Sequence, residues 1–214
     1  MSNNIMEELD SIKTDRTTIS PFSKDEVMAI IDNAPPEYMV FIKTLFFTGA
    51  RFGELAGLSW DSVDFERNVI KIRRTLVYGK LGRVKTAGSN REIKMTEPVR
   101  EALLPIRKGA KNDAFVFYDK NGQCMAPDHF REVIWKPLLK KISLEYRSPL
   151  QTRHTFATLA IDAGENLSWV REMLGHTSLQ MIFNVYYKWI NRSDDGNAMM
   201  ASFLGESSET VAAA

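Results

Sequence analysis

Apolar positions along the chain fall into two different rhythms, and the change of rhythm divides the sequence into parts. From Lys24 onward the spacing is helical. Val27, Ile30 and Ile31 mark a helix over about 24–33, with Ser23 as its N-cap and Glu26 three residues on completing a capping box. A second helix over 36–48 is apolar on nearly every side (Met39, Val40, Phe41, Ile42, Leu45, Phe46, Phe47) and stops at Gly49. A short helix over Phe52–Leu58 follows.

The rhythm then shortens. Val69–Ile72, Thr75–Val77 and Arg91–Met95 read as strands, with turns at Gly79 and Gly82. Helical spacing returns at about 97–107, 127–142, 149–163, 167–174 and 178–190, with a short Phe115–Phe117 run between, and Pro98 falls in a first turn that tolerates it. The pattern predicts an α+β fold: a mainly helical domain over 19–192 with a small, mostly exposed antiparallel sheet. Residues 1–18 read as a linker or tail and 193–214 as a flexible C-terminal tail.

Composition adds limits. No apolar run is long enough to span a bilayer, residues 1–16 lack the apolar stretch of a secretory signal, and the single cysteine, Cys124, allows no internal disulfide. A reducing cytoplasm is expected. The net charge of +1 conceals a strong asymmetry. Residues 67–111 carry 13 Lys/Arg against 3 Asp/Glu, whereas residues 1–66 carry 5 against 12. The basic block coincides with the predicted sheet and suits either a phosphate-binding surface or a solvated, salt-bridged face.

Three segments place polar chemistry in apolar company. In TGARFGEL, Arg51 follows the helix stopped by Gly49, and Glu54 is placed to orient it. A buried guanidinium needs that carboxylate, backbone carbonyls or a ligand phosphate. In SPLQTRHTFATLAIDAG, Leu150, Ala157 and Ile161 define one helical face. Arg153 lies within it, and His154 beside Ile161 reads first as a core histidine. In LSWVREMLGHTSLQMIFNVYYKWI, His176 occupies a turn, and Leu179, Ile182, Tyr186 and Trp189 form one stripe of the last helix.

Together these segments resemble the tyrosine recombinase or phage integrase family, over roughly residues 19–190. TGARFGEL looks like the family's first arginine box, making Arg51 the first catalytic arginine, and RVKTAGSNREI resembles its β-hairpin lysine segment, pointing to Lys85. TRHTFATLAIDAG and WVREMLGHTS resemble the second arginine box and the Leu-Gly-His box, implicating Arg153 and His176. MIFNVYYKWI resembles the nucleophile segment and selects Tyr186 over Tyr187. Glu54, Leu150 and His154 are supporting positions. The chain departs from the family at Leu150, where a histidine usually stands three residues before the second arginine.

The resemblance implies the tyrosine recombinase catalytic fold and a metal-independent enzyme that cuts and rejoins DNA through a 3′-phosphotyrosine, with no cofactor. A sequence lacking any Gly-x-x-x-x-Gly-Lys loop agrees with a reaction that needs no ATP. Double-stranded DNA is the expected partner, contacted by Arg73, Arg74, Lys80, Arg83 and Arg91. A tetramer on DNA, a monomer in isolation, an accessory directionality factor and a phage or bacterial, nucleoid-associated setting are also implied. Only 18 residues precede the domain, too few for the N-terminal DNA-clamping domain often found in the family, so weak isolated DNA binding is expected. The alternatives are a DNA-binding module that has lost catalysis and a type IB topoisomerase-like enzyme.

Overall fold

The computed structural model describes residues 18–83 and 90–190. The remaining parts of the predicted tails, and Lys85, lie outside the described residues. Helix α1 (Lys24–Asn33) starts as expected: Ser23 Oγ accepts from the Glu26 N–H at 3.2 Å, and Glu26 Oε2 accepts from the Ser23 N–H at 2.8 Å. Helix α2 (Pro36–Thr48) is buried along much of its length because it runs through the centre, packed against α1, α4 (Glu97–Arg107) and α7 (Gln151–Asp162). Edge-to-face contacts join Phe41 to Phe52, Phe117 and Phe130, and Phe22 to Phe46 and Trp135.

Between α3 (Phe52–Ala56) and α4 lie two small sheets rather than one. Strands β1 (Val63–Asp64), β2 (Val69–Ile72) and β5 (Arg91–Lys94) form an antiparallel sheet in the order β1-β2-β5, with Ile70 opposite Ile93. Ile70, Ile72 and Ile93 are all fully buried, so this sheet is a wall of the core and not the mostly exposed platform expected. Strands β3 (Arg74–Val77) and β4 (Lys80–Arg83) make a separate hairpin turning through Tyr78 and Gly79, both at positive φ. Gly82 is not a turn residue; it pairs with Thr75 inside the hairpin. A Cβ on Gly53 would lie 2.7 Å from Thr75 Oγ1 and 2.8 Å from the Leu76 carbonyl oxygen, so β3 rests directly on the helix that follows Arg51.

The helix expected over 127–142 is interrupted. α5 (Pro127–His129) passes into a π-helical stretch (Phe130–Trp135) and then α6 (Lys136–Lys141). Pro137 has no N–H for the Val133 carbonyl and its ring crowds that oxygen. The wider turns relieve the clash while Phe130, Ile134 and Trp135 stay buried. α7 lies mostly inside, and α8 (Leu167–Leu174) and α9 (Leu179–Ile190) pack against it. Leu150 does not join the inner face of α7 as the helical wheel suggested; it sits at the N-cap, 45% exposed.

Ahead of α1 the chain is strapped across the start of α7. The Ser20 N–H donates to Gln151 Oε1 at 3.0 Å, Gln151 Nε2 donates to the Thr18 carbonyl at 2.8 Å, and the Phe22 N–H donates to Thr155 Oγ1 at 2.9 Å. Arg147 fixes the same strap, donating to the Pro21 carbonyl and lying 3.9 Å from the centre of the Phe22 ring.

Candidate active site

Gly49 ends α2 in the left-handed conformation (φ +64), and the turn that follows makes Arg51 the N-cap of α3. Glu54, in the first turn of α3, is buried. Its carboxylate accepts from the Arg51 backbone N–H at 2.9 Å and from Arg51 Nη1 at 3.0 Å, while the Arg51 side chain stays half exposed. Arg91, at the start of β5, meets the same carboxylate with both terminal nitrogens (3.1 and 2.9 Å) and donates through Nε to the Met173 carbonyl at 2.9 Å. Burial is the largest influence on Glu54 and raises its pKa. The bonds and charge of Arg91, with those of Arg51, outweigh it and leave the carboxyl below its ordinary value.

Arg91 departs from the picture of a solvated basic face. Its side chain is only 8% exposed and ties α3, β5 and α8 together, with its remaining edge on the cleft beside His176. Sequence reasoning counted it with the basic block because its acidic partner lies 37 residues away in the chain.

Arg153 projects from the inner side of α7 and is 5% exposed. Nη1 donates to the Gly49 carbonyl at 2.8 Å and Nη2 to the Leu174 carbonyl at 2.6 Å. These oxygens belong to the C-terminal ends of α2 and α8, where helix dipoles concentrate partial negative charge. Among the described residues no carboxylate pairs with it directly. Burial, reinforced by the charges of Arg51 and Arg91 and partly offset by Glu54, brings its pKa down to about 9. At neutral pH it remains a buried cation beside two further cations.

His176 follows Gly175, whose left-handed conformation (φ +67) turns the chain at the end of α8 while the His176 N–H donates back to the Arg171 carbonyl at 3.0 Å. Its Nδ1 is buried and has no hydrogen-bond partner among the described residues. Burial first, then Arg153, Arg51, Arg91 and His154, lower its pKa to about 4, so the ring is neutral at physiological pH. His176 borders a cleft of about 460 Å³ with Asn90, Arg91, Arg171 and Thr177.

Tyr186 lies on the buried side of α9, where the backbone kinks (φ −117, ψ 16). It is 1% exposed, against 62% for Tyr187. Its hydroxyl is 2.9 Å from His154 Nδ1. Burial pushes its pKa up to about 12, opposed by the charge of Arg153. The phenol is thus protonated, and it shares this hydrogen bond with a histidine whose own pKa is lowered by burial and by Arg153, the donor being set by the imidazole tautomer.

Four distant segments accordingly meet. Arg153 bonds the carbonyls of Gly49, two residues before Arg51, and of Leu174, two residues before His176, while its neighbour His154 is bonded to Tyr186. Chemically, the arrangement offers several cations and a neutral histidine to an anion, beside a phenol that can serve as a nucleophile. Of the proposed DNA contacts, Arg73 and Lys80 are exposed and Arg74 pairs with Asp61 at 3.3 Å; Arg83 ends β4. Arg73 and Arg74 border a second cleft, about 560 Å³, with Leu81, Gly82 and Asn90. No cluster of three or more His, Cys, Asp or Glu suited to a metal ion occurs among the described residues. Sequence reasoning missed the Gly49, Met173 and Leu174 carbonyls as partners. Only the adjacent glycines at 49 and 175 hinted at helix ends there.

A profile of the phage integrase family matches residues 20–191. IntQ of Escherichia coli strain K12, named as a candidate defective protein, is 29% identical over 98% of this chain and 59% of its own length. The prophage integrase IntR of the same strain is 26% identical over 88% of this chain and 52% of its own length, so the chain spans somewhat over half of these relatives. The Tn1549 transposon integrase in complex with transposon right-end DNA superposes with a TM-score of 0.71 at 25% identity, covering 92% of this chain and 69% of that one. The catalytic domain of bacteriophage HP1 integrase, at 17% identity, shares the fold with a TM-score of 0.60 over 88% of this chain and 98% of the HP1 domain. The chain belongs to the phage integrase family.

Proposed function

We propose that this chain is the catalytic domain of a tyrosine-type site-specific DNA recombinase, acting on double-stranded DNA through a covalent 3′-phosphotyrosine. The observation that carries the reading is the meeting of the segments bearing Arg51, Arg153, His176 and Tyr186 around a buried cation that, among the described residues, no carboxylate pairs directly. A phosphate diester is a ligand that suits such a site. Relatives that are prophage integrases and a structural neighbour bound to transposon DNA support the same choice of substrate.

In this reading the phosphate enters beside Arg51 and Arg153. As the phosphorus becomes five-coordinate, charge builds on its non-bridging oxygens, and the two guanidinium groups stabilise it with charge-assisted bonds. The His176 ring, which borders the cleft, gives a further contact to a phosphate oxygen through the edge away from its buried Nδ1. The Tyr186 oxygen forms the new bond to phosphorus while the bond to the 5′-oxygen breaks, and Lys85 supplies the proton that oxygen takes up. The bond is stored rather than hydrolysed, so the 5′-hydroxyl of another strand can reverse the step without ATP. Arg73, Arg74, Lys80 and Arg83 hold flanking phosphates, and assembly on DNA is tetrameric, with an accessory factor setting direction. The catalytic unit spans 19–192, with linker and tail on either side.

The test is a nicked suicide duplex carrying the cognate site, resolved on a denaturing gel. Wild type and Tyr187→Phe should give a protein–DNA adduct, and Tyr186→Phe none. An adduct lost in Tyr187→Phe and kept in Tyr186→Phe would overturn the nucleophile. Salt-sensitive binding with no adduct from wild type would leave a DNA-binding module in place of an enzyme.

A further inference from the structure

The hydroxyl proposed to attack phosphorus is held by the residue directly after the second arginine. His154 Nδ1 lies 2.9 Å from the Tyr186 hydroxyl, with the two ring centres 5.8 Å apart. The position where the family usually carries a histidine, three residues before the second arginine, holds Leu150, an exposed alkyl side chain that can neither accept nor donate a proton. His154 lies one helical turn further along α7 and projects inward, partly buried against α9.

We propose that His154 is the general base of the cleavage step, accepting the Tyr186 proton on Nδ1 as the tyrosine oxygen bonds to phosphorus. This inference rests on the recombinase reading and deepens it. In the forward step the Tyr186 O–H breaks, its proton passes to His154 Nδ1, the Tyr186 O–P bond forms and the P–O5′ bond breaks. On religation the imidazolium returns the proton to the departing phenol oxygen. For this, Nδ1 must carry a free lone pair at the start, which puts the ring hydrogen on Nε2.

The surroundings favour that state. The titratable and charged groups around His154 are Arg153 on its own helix, Tyr186 on α9 and His176 at the end of α8, with Arg51, Arg91 and Glu54 beyond Arg153. Arg153 and burial both resist a second proton on the ring, while burial keeps the phenol protonated until attack. A base that is weak at rest and strengthens as charge moves from the phenolate to the phosphate fits a concerted transfer. Such a positioned base typically contributes about 10²–10⁴-fold.

The experiment is single-turnover adduct formation by wild type, His154→Asn and His154→Gln across pH 5.5–9.5, with DNA affinity measured alongside. Asn places an oxygen close to where Nδ1 stood, so it preserves the hydrogen bond and removes the basicity. The expected result is a loss on the order of 10²-fold near pH 7 with DNA affinity retained. The variant rate should climb with pH across the range, whereas wild type levels off once His154 is neutral. A parallel series uses a substrate whose 5′-bridging oxygen is replaced by sulfur, which needs no proton to leave. The His154→Asn deficit should persist on it. Relief by the sulfur would place His154 at the leaving group and overturn the proposal, as would a variant within about threefold of wild type with the same pH profile.

Ring nitrogen NMR on wild type needs no His154 variant and covers the case of a misfolded one. An unprotonated, hydrogen-bonded His154 Nδ1, shifted by Tyr186→Phe, is expected, and a protonated Nδ1 at neutral pH overturns the proposal. A Tyr186-dependent adduct in wild type with His154→Asn unimpaired sinks this inference alone. No Tyr186-dependent adduct at all sinks the recombinase reading with it.

Discussion

Arg51 stands half in solvent with a carboxylate already beside it, whereas Arg153 is enclosed and has only backbone oxygens for partners. The difference separates two kinds of contribution to one site. Glu54, Arg51 and Arg91 form a network in which one buried carboxylate is shared by two cations and a net positive charge remains. Arg153 keeps an uncompensated charge, which an incoming anion can satisfy. Stability should therefore concentrate in the first cluster and ligand binding in the second.

The largest effect expected from this contrast is on chemistry. Arg153→Met should lower adduct formation on the order of 10³-fold, because a preorganised donor to the transition state is lost. Its unfolding free energy should move by less than about 2 kcal/mol, since removal of a desolvated cation offsets the two freed carbonyls. Urea titration beside the gel assay checks both halves, and a severe loss of stability would break the comparison. Glu54→Gln should do the reverse and destabilise by about 3–5 kcal/mol, because the buried Arg91 loses the charge of the carboxylate it meets with both terminal nitrogens.

A third test uses pH. His176 titrates near 4 in the folded chain, below its ordinary 6.5. Between those values the unfolded state binds the proton and the folded state does not, so stability should fall as pH drops from 6.5 toward 4. His154 shifts in the same direction. Urea midpoints at pH 7 and pH 5 should differ for wild type and differ less in His176→Asn, the remainder coming from His154. The smallest effect is expected from Gly53→Ala, where the added methyl would push β3 off α3 at a cost of about 1–3 kcal/mol. Calorimetry would reveal it.

How far the sequence could be read follows from the range of the interactions involved. The start of α1, the stop at Gly49, the turn at Gly175 and the inward placing of Tyr186 rest on contacts within a few residues or on helical periodicity, and each was legible. The split of the strands into two sheets was not, because alternation predicts a strand without naming its partner. The π-helical stretch depends on Pro137 acting inside a helix already anchored by Phe130 and Trp135, which a periodicity count over 127–142 cannot register. Arg91 looked like one more residue of a basic block, and His154 like a core histidine. Their roles depend on Glu54 and Tyr186, brought to them by the fold from 37 and 32 residues away.

The strap over the start of α7 has a mechanical consequence. Both polar ends of the Gln151 amide are taken by backbone atoms of Thr18 and Ser20, and Gln151 stands two residues before Arg153. Tension on the polypeptide at Thr18 is therefore delivered to the first turn of the helix that seats the buried guanidinium. Loss of those two bonds, as in Gln151→Ala, should therefore shift the turn that carries Arg153 without altering any group proposed to meet the substrate.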